Sequence, residues 1–269
     1  MNMFIIDNEV LIRLFFFGGV FAFMAVWEMI APRRSLSAPK STRWFGNVTL
    51  TVLNSLLVRL VFPAASLGAA LFSREHGWGL FNLIRLPEAL TGAIAIALFD
   101  LTIYAQHVFF HKVTLFWRLH RMHHTDLDID VTTGARFHPI EIILSMGIKM
   151  GVTLILGPPV WSVLVFEVLL NATSMFNHSN VFMNRQIDAF LRTFLVTPDM
   201  HRVHHSVIIR ETDSNFGFNL PWWDRLFGTY RAQPAAGHKS MAIGLSNYRD
   251  RKWLTLPWML AVPFSDKYR

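Results

Sequence analysis

The chain has 269 residues, 52% hydrophobic and 16% charged, with 24 Phe, 9 Trp, no Cys and a formal net charge of +7. A soluble domain of this size is usually less apolar and more charged, and the apolar residues here come in long runs, so a membrane protein is expected. Without cysteine there are no disulfides, thiolate ligands or thiol catalysis, and the Lys and Arg residues flank apolar runs, which reads as membrane topology and not as nucleic-acid binding.

Residues 1–9 carry Asp7 and Glu9 and no Lys or Arg, and Val10 to Ile30 is an apolar run of about spanning length. That run is too long for a cleavable signal peptide and lacks a basic start and a small-residue cleavage site. Arg33, Arg34, Lys40 and Arg43 follow, so the positive-inside rule places the N-terminus outside and residues 32–44 in the cytoplasm. Val48 to Phe72 predicts a second span, and Ser73 to Pro87 an external loop whose isolated His76 has no assigned role. A third span over Ala89 to Phe110 returns to the cytoplasm, where Lys112, Arg118, Arg121 and Arg136 hold the next segment. Ile140 to Trp161 is apolar but interrupted by Lys149, Gly151 and the Gly157-Pro158-Pro159 turn; Val160 to Phe176 is apolar again. Neither half reads as a full span. The expectation is a helical hairpin that dips into the bilayer and returns, leaving everything from Asn177 onward cytoplasmic. The predicted fold is all-α and integral to the membrane: three spanning helices plus a helical hairpin, with a cytoplasmic helical cap.

Two charges fall near mid-span, Arg59 and Asp100, where ionisable groups are costly unless paired. They are expected to face each other between antiparallel neighbours. Asp100, Tyr104, His107 and His111 are spaced 4, 3 and 4, so they share one helical stripe, with Asp100 anchoring its polar lining.

The histidines carry the chemistry. His107 and His111 close the third span as HVFFH; His120, His123 and His124 form HRMHH; His201, His204 and His205 form HRVHH. On helices each set lies on one face, and all three fall on the same predicted side of the membrane. Three imidazole clusters exceed what one ion needs, so the pattern predicts a buried two-metal centre. Imidazole suits iron, zinc, copper and nickel, whereas magnesium and calcium would want oxygen ligands. The ligating rings must be neutral. His138, in ARFHPIE, and His178, in FNHSN, are further candidates as ligands or as supporting donors; His238 is expected to be uninvolved. A metal-bound ring usually donates its other N–H to a carboxylate or carbonyl, and Asp128, Glu141 and Asp213 are the nearest acids in sequence. Asp224 reads as a salt-bridge partner for a neighbouring Arg.

DLTIYAQHVFFH, LFWRLHRMHHTDLDIDVTTGARFHPIE, NHSN, HRVHHS and NFGFNLPWWDRLFGTY together resemble the fatty acid hydroxylase / sterol desaturase superfamily. The resemblance covers roughly residues 97–232. It implies a catalytic region over 97–232, following N-terminal transmembrane helices over 1–96 and followed by a cytoplasmic or interfacial tail over 233–269. It further implies that His107, His111, His120, His123, His124, His201, His204 and His205 ligate two iron ions, with His178 a further ligand, and that O2 and external electrons hydroxylate or desaturate a lipid. Two positions depart from the pattern: Val108 stands where many relatives have Arg, and Ser174 where some have another His. No GxGxxG fingerprint and no haem domain is present, so electrons are expected from a separate ferredoxin, cytochrome or reductase, or from a pterin. The ligand set alone leaves zinc open, and with it a zinc-dependent membrane hydrolase or a non-catalytic metal- or sterol-binding protein. The basic, aromatic stretch Lys239 to Arg269, with Trp253, Trp258, Lys267 and Arg269, suits an interfacial segment on an anionic leaflet.

Overall fold

Helices make up the regular structure in a computed structural model of the chain, which describes residues 7–84 and 86–266; among these the only β pairings are two isolated bridges, Pro32–Val181 and Ser206–Ile243. The longer helices are α1 (Glu9–Ile30), α2 (Lys40–Val61), α3 (Ala65–Glu75), α4 (Glu88–Lys112), α5 (Thr114–His124), α6 (Pro139–Leu156), α7 (Val160–Asn177), α8 (Arg185–Leu191) and α9 (Pro198–His204). Five stretches are long and apolar enough to cross a membrane: Glu9–Ile30, Lys40–Leu83, Glu88–Lys112, Pro139–Leu156 and Val160–Asn177. Their outward faces are apolar, with Phe15, Ile30, Leu60 and Ile155 exposed, the reverse of a soluble bundle. Inside, Phe99 of α4 stacks on Phe166 of α7 at 5.1 Å, and Leu67, Ala70, Ala95 and Val163 fill the space around them. Gly92 permits this closeness: a Cβ there would meet the Trp161 ring at 2.2 Å.

The expected second span is broken. Pro63 has no N–H to continue a helix, and it disfavours helical backbone at Phe62, so α2 stops at Val61 and α3 restarts at Ala65. Arg59 consequently sits in the last turn of α2, its side chain 62% exposed, and pairs with Glu9 at the start of α1 at 3.0 Å. The expected Arg59–Asp100 pair does not form. Asp100 is buried and instead accepts from the backbone N–H groups of Asn219 and Leu220, at 3.3 and 3.1 Å, and from the Trp223 indole at 2.8 Å.

The expected hairpin forms from α6 and α7. Each helix has 18 residues and is long and apolar enough to cross. His138 caps the start of α6, its ring accepting from the Ile140 N–H ahead of Pro139 at the first turn. Gly157 ends α6 with φ +60°, and a Cβ there would lie 2.3 Å from the Trp78 carbonyl. Asn82 donates to both the Trp78 and Gly157 carbonyls, at 2.6 and 3.3 Å. The hairpin tip therefore reaches the loop that leads into α4, at the far end of the bundle. Lys149, which looked like an interruption, is satisfied inside the bundle: its ammonium meets Glu167 at 2.9 Å, and Arg13 meets the other Glu167 oxygen at 2.6 Å.

The C-terminal arm packs one side against the helices and leaves Arg251, Lys252, Trp258 and Phe264 exposed on the other. Trp253, Met259 and Val262 pack with Leu50 of α2 and Met122 of α5, and Arg121 donates to the Val262 and Ser265 carbonyls at 2.7 and 2.8 Å. Lys267 and Arg269 lie outside the described residues.

Candidate metal centre

Helix α4 carries His107 and His111 one turn apart at its end, both buried. Val113 is extended, so the chain turns at one residue and α5 doubles back against α4. This sets His120 4.8 Å from His107 and His124 4.9 Å from His111, ring centre to ring centre. Thr197 caps α9 through its side chain ahead of Pro198, and α9 lays His204 against His107 at 4.5 Å. Two buried groups result: His107, His111, His120, His124 and His204 in one, and His123, His178, His201 and His205 in the other. Within each group, one nitrogen from every ring lies within 4.8 Å of all the others. Each HxxHH motif is divided between them. His120 and His124 enter the first group and His123 the second, while His201 and His205 enter the second and His204 the first. The groups adjoin, with the His124 and His205 rings stacked at 4.6 Å.

The outward nitrogens are held by oxygens. Nδ1 of His107 donates to the Phe216 carbonyl at 2.7 Å, His123 to Arg136 at 3.0 Å, His178 to Ser174 at 2.7 Å and His204 to Ser214 at 2.8 Å. His120 meets Glu141 at 2.6 Å, and His111 meets Asp213 at 3.4 Å. A ring that donates through Nδ1 presents a lone pair at Nε2, and these face inward. Nε2 of His107 lies 3.1 Å from that of His120, His178 3.0 Å from His123, and His201 3.1 Å from His178. Two nitrogens on one ion at about 2.0–2.1 Å are about 2.9–3.4 Å apart. Both ring nitrogens of His124 and of His205 are buried without a hydrogen bond. Orphaned inward lone pairs at ligand spacing fit a pair of bound ions.

Burial, with repulsion between neighbouring rings, holds His123, His124, His201, His204 and His205 well below the usual histidine range, and burial brings His178 down to about 4. The folded chain keeps these rings neutral where an unfolded chain protonates near pH 6.5. Below that pH the unfolded state binds more protons. Stability of the metal-free protein is thus full above about pH 6.5 and falls as pH drops towards about 4, where His178 titrates. Thermal unfolding of chelator-treated protein in detergent should show a midpoint that declines across this window; a flat profile from pH 7 to 5 would contradict neutral burial.

Of the expected supporting acids, Glu141 and Asp213 reach the cluster. Glu141→Leu should weaken metal binding by about 10–100-fold, as loss of such an outer partner does, and an unchanged occupancy curve in a chelator titration would refute its role. Asp128 does not reach a histidine. Its Oδ2 accepts the Ser37 and Ala38 N–H groups at 2.7 and 2.9 Å, fixing the loop after α1. His138 belongs to neither group; it caps α6 and meets the Leu260 carbonyl at 3.3 Å. Tyr104 bonds Thr229 at 2.9 Å. Asp100 acts at one remove, holding the 219–223 strap that follows the Phe216 carbonyl on His107. Among the described residues Asp224 likewise forms no salt bridge with an Arg: it accepts the Phe216 and Gly217 N–H groups at 2.8 and 2.9 Å and the Thr229 hydroxyl at 2.7 Å. Burial raises its carboxyl, which these donors oppose. Ser174 spends its hydroxyl on the Gly134 carbonyl at 2.7 Å, and the second group has four rings against five.

Sequence reasoning missed Arg43. It is fully buried, binding Asp126 through Nε at 2.6 Å and Nη2 at 2.9 Å, and Asp130 through Nη1 at 2.5 Å. Burial alone would raise Asp126; Arg43 outweighs it and holds the carboxyl below its usual range. This node clamps the segment directly after HRMHH. The alternating acids of TDLDID were the available signal.

A sequence model of the family described as fatty acid hydroxylase matches residues 92–229, which contain all nine clustered histidines. The chain belongs to the fatty acid hydroxylase family. Its relatives include the ornithine lipid hydroxylase OlsE of Rhizobium tropici, 26% identical over 92% of this chain and 74% of that protein. The alkylglycerol monooxygenases of Xenopus tropicalis and Homo sapiens are 29% and 30% identical over 68% and 58% of this chain. This fatty acid hydroxylase family member spans 41% and 34% of their lengths. No solved structure matches the chain. With its apolar helices and these relatives, this hydroxylase family member is an integral membrane enzyme.

Proposed function

We propose that the protein is an O2-dependent, non-haem di-iron oxidoreductase that hydroxylates a C–H bond of a membrane lipid. The observation that supports this most is the paired arrangement of nine buried imidazoles, six of them with Nδ1 turned out to an oxygen of the chain. The five-ring group and the four-ring group would each hold one ion; iron at both positions would supply the redox chemistry with O2 that an unactivated C–H bond requires. The chain's own part is to hold and insulate. Carbonyls of Phe216, Arg136, Ser174 and Ser214 fix ring orientation, Glu141 and Asp213 hold His120 and His111 from behind through their carboxyl oxygens, and the surrounding helices exclude bulk water. An all-nitrogen donor set favours a transition metal over magnesium or calcium.

A lipid substrate accords with the relatives, named for ornithine lipid and alkylglycerol, and with a site on helices that cross the bilayer. The lysine and arginine distribution supports a centre on the cytoplasmic side, and the catalytic region would be about residues 97–232. Electrons come from a separate donor: a ferredoxin, a cytochrome, a reductase or a pterin.

The test is metal analysis of detergent-purified protein alongside O2 consumption with extracted lipid. Two irons per chain and lipid-dependent O2 uptake are expected. Two zincs per chain with no O2 uptake in iron-reconstituted protein would overturn the reading.

A further inference from the structure

Behind the histidine centre, where the end of α1 meets the start of α2, lies a cavity of about 590 Å³. Its walls are the 32–36 turn, Lys40, Asn180 and Lys239, with Glu28 and Asp130 also lining it. Its volume is that of a small-ligand site. None of its residues is used by the metal centre, and the charges around it do not balance.

The lining holds four cations, Arg33, Arg34, Lys40 and Lys239, against two carboxylates, Glu28 and Asp130. Arg33 pairs with Asp199 at 2.9 Å, a carboxylate it shares with Arg202, and Asp130 pairs with Arg43 at 2.5 Å, a cation it shares with Asp126. Arg34 donates through Nη1 to the Met241 and His238 carbonyls, at 2.7 and 3.4 Å, which orient the guanidinium without cancelling its charge. Its Nε is buried with no hydrogen-bond partner. Lys40 rests over the Trp44 ring at 4.5 Å, and Lys239 is exposed. Glu28 gives one oxygen to the Val131 and Asn180 N–H groups, at 2.7 and 2.8 Å. The cavity thus keeps a net positive charge at the point where α1 leaves its apolar run, the depth of phospholipid phosphates if α1 crosses the bilayer.

We infer that this cavity is a binding site for the phosphate-bearing headgroup of an anionic phospholipid. Arg34 is pre-aimed by the two carbonyls, and Lys40 and Lys239 close on the phosphate from the rim. Asn180, two residues beyond His178, lines the site, donates to the Arg34 carbonyl at 2.8 Å and bonds Glu28. An occupant therefore bears on the segment that carries His178.

The experiment is native mass spectrometry of the full-length, metal-loaded protein, titrated separately with phosphatidylglycerol, phosphatidylcholine and inorganic phosphate. One phosphatidylglycerol is expected to bind at least tenfold more tightly than either alternative. Lys40→Gln with Lys239→Gln should weaken it by about tenfold or more, the effect of losing charge-assisted contacts of this kind, and Lys40→Arg should retain binding. Neither lysine holds up the fold, and metal content is read in parallel to show that the centre is intact. Equal binding of phosphatidylcholine, or an unchanged affinity in the double variant, would overturn the site. Inorganic phosphate binding as tightly as phosphatidylglycerol would overturn the lipid as its occupant.

Discussion

Alanine in place of His123 or of His204 is expected to abolish lipid-dependent turnover and to lower bound iron. The two residues come from different HxxHH motifs and serve different groups, so the paired variants probe both halves of the centre. Each ring is buried, and its Nδ1 is already committed to a carbonyl, of Arg136 and of Ser214. Only Nε2 is left to bind an ion, and no other side chain in the motif is spaced to replace it. His138→Ala is the matched control. That ring caps α6 outside both groups, so its loss should cost about 1 kcal/mol of stability and leave iron occupancy near wild type. Full activity in either His123→Ala or His204→Ala, with a substrate in hand, would break the assignment.

Arg43→Ala should be the most destabilising single change outside the histidines, by about 3–5 kcal/mol. It leaves the carboxylates of Asp126 and Asp130 in a dry interior without their cation. Both also organise the 126–133 segment, where Asp130 accepts from Thr132, and Thr133 donates to Asp126 at 3.0 Å. Equilibrium unfolding in mixed micelles reads the effect directly. Adding Asp126→Asn and Asp130→Asn to the arginine variant should restore part of the loss, because neutral amides are far cheaper to bury than unpaired charges. A change below about 1 kcal/mol in the single variant, the range of an exposed ion pair, would show that the node is solvated in the membrane-embedded protein.

The histidine spacing carried most of the site. Residues three and four apart must share a helix face, and eight of the nine rings in the two groups stand in such motifs. What spacing does not disclose is the division of each motif between two groups, since that depends on how α5 and α9 cross. The carbonyls of Phe216, Arg136, Ser174 and Ser214 were invisible because any residue supplies a carbonyl. The charged residues misled where pairing was long-range: Arg59 met Glu9 and not Asp100, and Lys149 met Glu167. Hydropathy placed the apolar stretches well but overlooked Pro63, whose missing N–H splits the second one. The packing of Trp253 and Met259 against α2 and α5 was likewise out of reach, since the same residue types serve an interfacial segment and a packed core equally well.

The nine clustered rings are all nearly inaccessible to solvent, at 3% exposure or less. An ion seated among them could exchange only when part of the surrounding structure opens, so chelators would strip it at the pace of that opening and not at the pace of their own encounter. Metal supply during biosynthesis, before the last histidine motif docks, would then decide how much of the finished enzyme is competent.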